Sequence, residues 1–441
     1  MNTLSRKFNF FTLIKFTAPT IVMMILMSLY TMVDGVFVSN IVGETALSAI
    51  NIVYPVISLV VAVAIMFATG SSAIIANEMG KGNNAKAKNF FSFIIYFGII
   101  IGLIFSVFGT IFLDDITRLM GATIETEQFC KDYLLIIIFA SPFAILQMMF
   151  EFLFVTAGKP KLGLISTFLG GVANVILDLF FMGYLNMGIK GAALGTAIGY
   201  CIPAFFGLIY FTFSRKGCLY LIKPKMDFKS LLKTCANGSS EMVTNLATSV
   251  TVFLFNMVML KFLGVDGVVA ITIVLYSQFF LTAVFLGFSS GVAPIISYNH
   301  GSKNTAQLKN VIKISSIFII IISILTFVLS LAFSGIITSI FVKSDSNVFE
   351  IAKNGFLLFS ISYLFIGVNI FTSSMFTALS NGFVSALISF LRTFLFLIVS
   401  IIVLPQIIGE NGVWLAIPLA EILTLFVSIF FFIKNIKKEI F

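Results

Sequence analysis

Apolar residues run along this chain in long blocks parted by short polar connections. No charge interrupts Phe90 to Phe112, and none interrupts Ile314 to Val342. A helix of about 20 apolar residues crosses the hydrocarbon core of a bilayer. The alternating segments of a membrane β-barrel do not occur. Backbone groups in lipid must satisfy one another, which leaves helices. The pattern predicts about twelve spans, near residues 14–38, 47–74, 90–112, 130–156, 162–184, 191–213, 232–260, 267–297, 311–341, 350–378, 384–405 and 413–434. The longest connection, Ser214 to Lys233, falls between the sixth and seventh spans. Arg6 and Lys7 precede the first apolar run as they would in a signal peptide. That run continues past a signal-peptide core without a small-residue cleavage site, so it reads as a retained span.

Composition agrees. Of 441 residues, 59% are hydrophobic and 10% charged, with a mean hydropathy of +1.11. Soluble domains carry roughly 25% charged residues. The net charge of +9 raises the question of nucleic acid, but the distribution argues against such a partner. Of the 27 lysines and arginines, twenty-one fall near the termini, in the even-numbered connections, or at Arg392. The remaining six are Arg118, Lys131, Lys190, Lys261, Lys343 and Lys353. By the positive-inside rule both termini are expected in the cytoplasm of a multi-pass inner (cell) membrane protein, with the lipid bilayer as its surroundings.

The chain repeats itself. At a constant shift of 221 residues, Gly43, Ala49, Ile50, Ile52 and Val53 fall on Gly264, Ala270, Ile271, Ile273 and Val274. At the same shift Phe67, Gly70, Ile74, Ile75, Gly80 and Asn83 fall on Phe288, Gly291, Ile295, Ile296, Gly301 and Asn304, and Gly188, Gly191 and Leu194 on Gly409, Gly412 and Leu415. The expected organisation is therefore a six-helix half over residues 1–215, a cytoplasmic linker over 216–233 and a second half over 234–441. The fold class is all-α integral membrane, with two pseudo-symmetric halves around a central cavity. An even number of spans per half relates the halves by an axis along the membrane normal, which suits rocking around a central site.

A charge at bilayer depth costs about 2.5–3.5 kcal/mol on insertion scales, so interior charges are candidates for function. They are Asp34, Glu151, Asp178, Glu241 and Glu421, with Arg392 as the clear cation. Asn174 and Asp178 are four residues apart and share a helix face. An amide oxygen beside a carboxylate suits a small hard cation, and the carboxylate equally suits a proton. Thr196 could add a hydroxyl. The competing reading is a hydrogen-bonded cluster that only ties helices together. Gly191, Gly195 and Gly199 give the sixth span a small-residue packing face that would bring Thr196 to Asp178. Pro19 either kinks the first span or lies harmlessly near its end. Glu151, Gln147, Glu241, Tyr363 and Glu421 are further candidates for the cavity wall, although Glu241, near the start of its span, could merely cap or snorkel. Some of the 53 Phe and 17 Met would give that cavity a soft wall.

Other chemistry is not encoded. Thr156-Ala157-Gly158-Lys159-Pro160 lacks the upstream glycine of a P-loop, so ATP hydrolysis in this chain is not expected. Cys130, Cys201, Cys218 and Cys235 form no CxxC, and the single His300 falls in a predicted loop as a solvated side chain. No catalytic set or cofactor is expected, and the chain does not read as an enzyme.

The residues resemble the multidrug and toxic compound extrusion (MATE) family over essentially the full length. The resemblance lies in Pro19 and Asp34, in Val42-Gly43-Glu44-Thr45-Ala46-Leu47-Ser48-Ala49 and in Ala76-Asn77-Glu78-Met79-Gly80-Lys81-Gly82-Asn83. It continues through Thr156-Ala157-Gly158-Lys159-Pro160, Asn174-Val175-Ile176-Leu177-Asp178 and Gly188-Ile189-Lys190-Gly191-Ala192-Ala193. It implies an antiporter that exports cationic or amphipathic organic compounds in exchange for H+ or Na+. Coupling or substrate binding would fall on Asp34, Asn174, Asp178 and Thr196, and Na+, if it is the ion, on Asp34, Asn174 and Asp178. Gly367 and Thr248 stand where one sodium-coupled branch has carboxylates, so coupling is expected in the N-terminal half. A flippase for a lipid-linked or polyprenyl-type precursor is the alternative. A monomer is expected.

Overall fold

The computed structural model describes residues 3–215 and 217–440. Lys216, at the start of the expected linker, lies outside the described residues, as do residues 1, 2 and 441 and the side chains of Val36, Glu44 and residues 436–440, Lys437 and Lys438 among them. Among the described residues all regular structure is helical.

Among the described residues nine helices are long and apolar enough to cross a membrane, and eleven if each of two bent pairs counts as one span. The first three spans are Phe10–Phe37, Glu44–Gly80 and Asn84–Ile111. The fourth is the pair Glu127–Phe139 and Ser141–Thr156, bent by 55°. The fifth and sixth are Pro160–Asp178 and Ile189–Phe213. Phe228–Gly301 is two spans joined at Gly264, whose φ of 63° and ψ of −152° break the helix. With that division the spans number twelve. Thr305–Ser339 is the ninth, and the tenth is the pair Asn347–Ser360 and Tyr363–Ala378, bent by 53°. The eleventh runs Gly382–Phe390 and Leu397–Ile408 through a π-helical turn, and the twelfth is Glu410–Ile440.

The repeat extends to the backbone. Gly43 and Gly264 have φ of 114° and 63°, Gly188 and Gly409 have 57° and 66°. Gly82 at 80° answers Lys303 at 54°. The bends of the fourth and tenth spans fall at corresponding places as well. Left-handed backbone is inexpensive for glycine and uncommon elsewhere, so at Lys303 the second half keeps a conformation that glycine would accept more easily.

The halves meet at one end. Gly80 packs on the Tyr298 carbonyl and Gly301 on the Asn77 carbonyl, so the second and eighth spans touch backbone to backbone. Gly70 packs on the Thr234 carbonyl, Gly238 on the Met66 carbonyl, and Gly287 on Ile21 of the first span. All of these lie toward the termini. Toward the other end, Gly35, Gly43 and Gly264 have nothing within 4 Å of a Cβ position. Backbone-to-backbone contact between the halves is thus made on the side of the termini.

Three expectations change. His300 is not in a loop: it sits in the last turn of the eighth span, partly buried, with Nδ1 3.2 Å from Asn77 Nδ2 of the other half. Helix seven begins at Phe228, not near 232, because Asp227 accepts from the Ser230 amide and caps it. Glu241 therefore lies well inside the helix and caps nothing. The connection also docks on the third span, through Ile222 N to Ser92 Oγ (2.9 Å) and Lys225 N to Asn89 Oδ1 (2.6 Å).

Candidate functional site

The first span is capped by Asn9, which accepts from Thr12 N. It runs unbroken through the buried Pro19 and passes into a π-helical turn, Val38–Val42, just beyond Asp34. The fifth span likewise gives way to a π-helical turn, Leu179–Tyr184, immediately after Asp178. A third, Leu391–Phe396, contains Arg392. Widened turns of this kind concentrate at functional positions. Here each adjoins a charged residue in the interior.

Asp178 is fully buried and Asn174 nearly so, at 0% and 5% exposure. Asn174 Nδ2 donates to Asp178 Oδ2 at 3.1 Å and to Thr196 Oγ1 at 3.5 Å. Asp34 stands within hydrogen-bonding reach of Asp178. One oxygen of each, Asp34 Oδ1 and Asp178 Oδ1, is buried without a hydrogen-bond partner. The cluster exists because the fifth and sixth spans pack tightly. Gly195 lies against the Asp178 side chain, Gly199 against Asn174, and Gly191 against the Phe181 backbone. Tyr133 reaches Thr196 from the fourth span.

The arrangement can hold a positive charge. Two carboxyls this close repel when both are ionised, and burial strengthens the repulsion. A shared proton or a small cation relieves it. As placed, Asn174 presents its amide nitrogen to the carboxylate and acts as a donor. As a cation ligand it would need its oxygen there, half a turn of the amide away. Among the described residues no three His, Cys, Asp or Glu side chains group as a metal site.

A second polar group lies nearby. Glu151 is 0% exposed and accepts from Gln147 Nε2 at 3.3 Å and Thr167 Oγ1 at 3.2 Å. Glu151 Oε2 and Gln147 Oε1 are buried and unpartnered. Tyr30 reaches Gln147 from the first span and lies within electrostatic range of both Glu151 and Asp34. Sequence reasoning missed Tyr30, Tyr133 and Thr167. Tyr30 was within reach of it, being four residues before Asp34 on the same helix face.

In the C-terminal half the structure separates the candidates. Arg392 Nε donates to Glu421 Oε1 at 2.7 Å. Asn369 Nδ2 donates to Glu421 Oε2 at 2.7 Å, and Ser428 Oγ to Asn369 Oδ1 at 2.9 Å. The Tyr363 hydroxyl is buried without a partner. Gly367 is filled from outside: a Cβ there would stand 2.7 Å from the Phe285 ring and from Ser323 Oγ. The Thr248 hydroxyl donates to the Thr244 carbonyl at 3.2 Å.

Two similar six-span halves with backbone contact on the side of the termini, and carboxylates buried in the interior of each, define a helical membrane transporter of the two-lobed type. The MatE family model matches the chain twice, over residues 19–180 and 242–402, one match to each half. The chain belongs to the MatE family. It is 25% identical over 422 residues to the multidrug export protein MepA of Staphylococcus haemolyticus, covering 96% of this chain and 92% of that one. Against MepA of Staphylococcus aureus it is 27% identical over 366 residues, 81% of each. The same fold is found in a MATE crystal structure in complex with MaL6, at a TM-score of 0.92 with 18% identity, covering 99% of this chain and 98% of that one. It is also found in an outward-facing multidrug resistance MATE transporter, at 0.91 with 19% identity, covering 97% and 96%.

Proposed function

We propose that this protein exports organic compounds, cationic or amphipathic, in exchange for H+ or Na+. The observation that carries the reading is the Asp34–Asp178 pair, with an unpartnered buried oxygen on each carboxyl. A proton or Na+ entering from the outer side neutralises the pair. Its arrival changes how the first span packs on the fifth, and Pro19, which lacks the N–H that would brace its turn, lets that span bend. The names of the MepA relatives support multidrug export.

The uneven distribution of lysine and arginine supports cytoplasmic termini. The glycine contacts between the second and eighth spans then lie on the cytoplasmic side and form an inner closure. Binding the ion from outside and the drug from inside in alternation would make transport an exchange. A lipid-linked pyrophosphate would call for several interior cations, and Arg392 is already ion-paired to Glu421.

The deciding test is ethidium efflux from loaded cells or everted vesicles under an imposed Na+ gradient and, separately, an imposed pH gradient. Efflux driven by either establishes the antiport and names the ion. Asp178→Asn at normal expression should abolish it, and unchanged efflux would remove Asp178 from the coupling site.

A further inference from the structure

Between the ends of the seventh, tenth and twelfth spans, on the side away from the termini, lies a cavity of 140 Å³. Glu350 and Asn354 of the tenth span line it, with Glu410, Asn411 and Trp414 of the twelfth. The two glutamates and two asparagines are exposed, so the cavity is reached from the surface.

Its walls are held in place. Ser346 Oγ accepts from Phe349 N at 3.2 Å and caps the helix that carries Glu350. Asn347 Nδ2 donates to Asp266 Oδ2 at 2.8 Å, tying that helix to the start of the eighth span. Gly412 packs on the backbone of Leu404 and Pro405, which fixes where Glu410 and Asn411 stand.

The polar groups in the wall are unspent. Among the described residues Glu350 and Glu410 form no ion pair, and neither they nor Asn354 and Asn411 make a side-chain hydrogen bond. Lys353, one turn from Glu350, has its Nζ over the Phe349 ring instead, 5.8 Å from the centroid. Trp414 is only 3% exposed. Its indole N–H is its one donor, and a buried tryptophan usually finds a partner for it. Here that donor has none among the described residues. Gly355, also in the wall, packs on Cε2, the ring carbon next to that nitrogen.

The fold does not require such a cavity. At the 221-residue shift Glu350, Asn354, Glu410 and Trp414 fall on Phe129, Tyr133, Ile189 and Ala193. Those four pack together in an apolar cluster of the N-terminal half. Where one half is filled with hydrocarbon and ring, the other keeps a space lined by two carboxylates, two amides and an unused N–H.

The carboxylates call for a positive charge, and the indole N–H calls for an acceptor oxygen. A divalent metal ion takes six to eight oxygens and would be opposed by the N–H. The space is close to the roughly 150 Å³ that admits benzene, so it suits one organic guest of about seven heavy atoms. We propose that this cavity is a binding site for a small hydroxylated organic cation, an amino alcohol. Glu350 and Glu410 take its charge, and Trp414 donates to its hydroxyl. With the termini in the cytoplasm the site faces outward. A lipid head group is a poorer guest, because esterification removes the hydroxyl and sets a phosphate beside two carboxylates.

Trp414 is the one tryptophan of the chain, so its emission reports on this cavity alone. Purified protein in phosphatidylglycerol nanodiscs is titrated with choline, with tetramethylammonium, which lacks the hydroxyl, and with dimethylbutanol, in which carbon replaces the charged nitrogen. Equilibrium dialysis with labelled choline gives a second readout. Choline should bind saturably, and dimethylbutanol at least about tenfold more weakly, the equivalent of one charged contact. Glu350→Gln/Glu410→Gln, eluting as the unaltered protein does on size exclusion, should weaken choline by a similar factor. Trp414→Phe, followed by dialysis, should weaken choline and leave tetramethylammonium within about twofold.

No saturable choline binding by dialysis, or equal binding of choline and dimethylbutanol, would overturn the site. So would a response to CaCl2 in place of choline, which would make it a metal site. Choline binding abolished in phosphatidylcholine nanodiscs would make a lipid head group the occupant and overturn the free ligand. All of these read binding, so the site stands or falls apart from the export reading.

Discussion

Gly195 packs so closely on Asp178 that a Cβ at the glycine would collide with the carboxylate Oδ1. The sixth span thereby acts as the back wall of the candidate coupling site. Gly195→Ala should push the Asp178 carboxylate out of line with Asp34 and lower ethidium resistance at least about tenfold, since overpacking costs about 1–3 kcal/mol. Membrane expression should be normal. Gly183→Ala, where nothing lies within 4 Å, is the control and should behave as the unaltered protein. Resistance measured in cells expressing each variant decides it.

The inner closure can be locked. Asn77 and His300 meet across the two halves. In a background with Cys130, Cys201, Cys218 and Cys235 replaced by Ser, Asn77→Cys/His300→Cys should be joined by a short bifunctional thiol reagent. The joined protein should lose ethidium efflux entirely, and each single variant should keep it after the same treatment. Efflux that survives complete cross-linking would show that this end need not open.

Glu151 is a buried carboxylate held by two donors, and losing one should be felt as instability. Thr167→Val should lower the stability of the detergent-solubilised protein by about 1–3 kcal/mol, the cost of an unmade buried hydrogen bond. Thr167→Ser should restore most of it. Thermal unfolding followed by size-exclusion recovery checks the order: unaltered, Ser, Val.

Outside the spans, Asp114 lies 2.8 Å from Lys131. The hydrogen bond from Lys131, then its charge, holds the Asp114 carboxyl below its usual range. A carboxyl lowered on folding contributes stability above its unfolded value, and that contribution is lost as pH falls through the folded one. Lys131→Met should therefore lower Tm slightly at pH 7, because exposed pairs are weak, and the difference should close below about pH 4. Melting curves across that range test the sign.

The number of spans, the repeat and the Asn174–Asp178–Thr196 grouping were legible because each depends on helical spacing or on small residues that recur. The glycines of the inner closure were visible as matched positions, but which surface each met was not, because partners such as Gly301 and Asn77 come from different halves. Arg392 and Glu421 are 29 residues apart, a separation no helical periodicity links, so their pairing emerged only in three dimensions. Glu241 was misjudged because hydropathy locates where apolar sequence begins, whereas Asp227 sets where the helix begins. The bend of the fourth span left a trace in Pro142, at the start of its second segment. The matching bend at Ile361 and Ser362 left none.

Gly43, Gly188, Gly264 and Gly409 turn the chain within very few residues at the end away from the termini. The first and second spans, and the seventh and eighth, are consequently hairpins without slack. An epitope tag or a protease site inserted at Gly264 would have to unwind helix to be accommodated. A binder raised against that end would meet tight turns there, so the longer connections around Thr123 and Asp345 are where antibodies and proteases would find a hold.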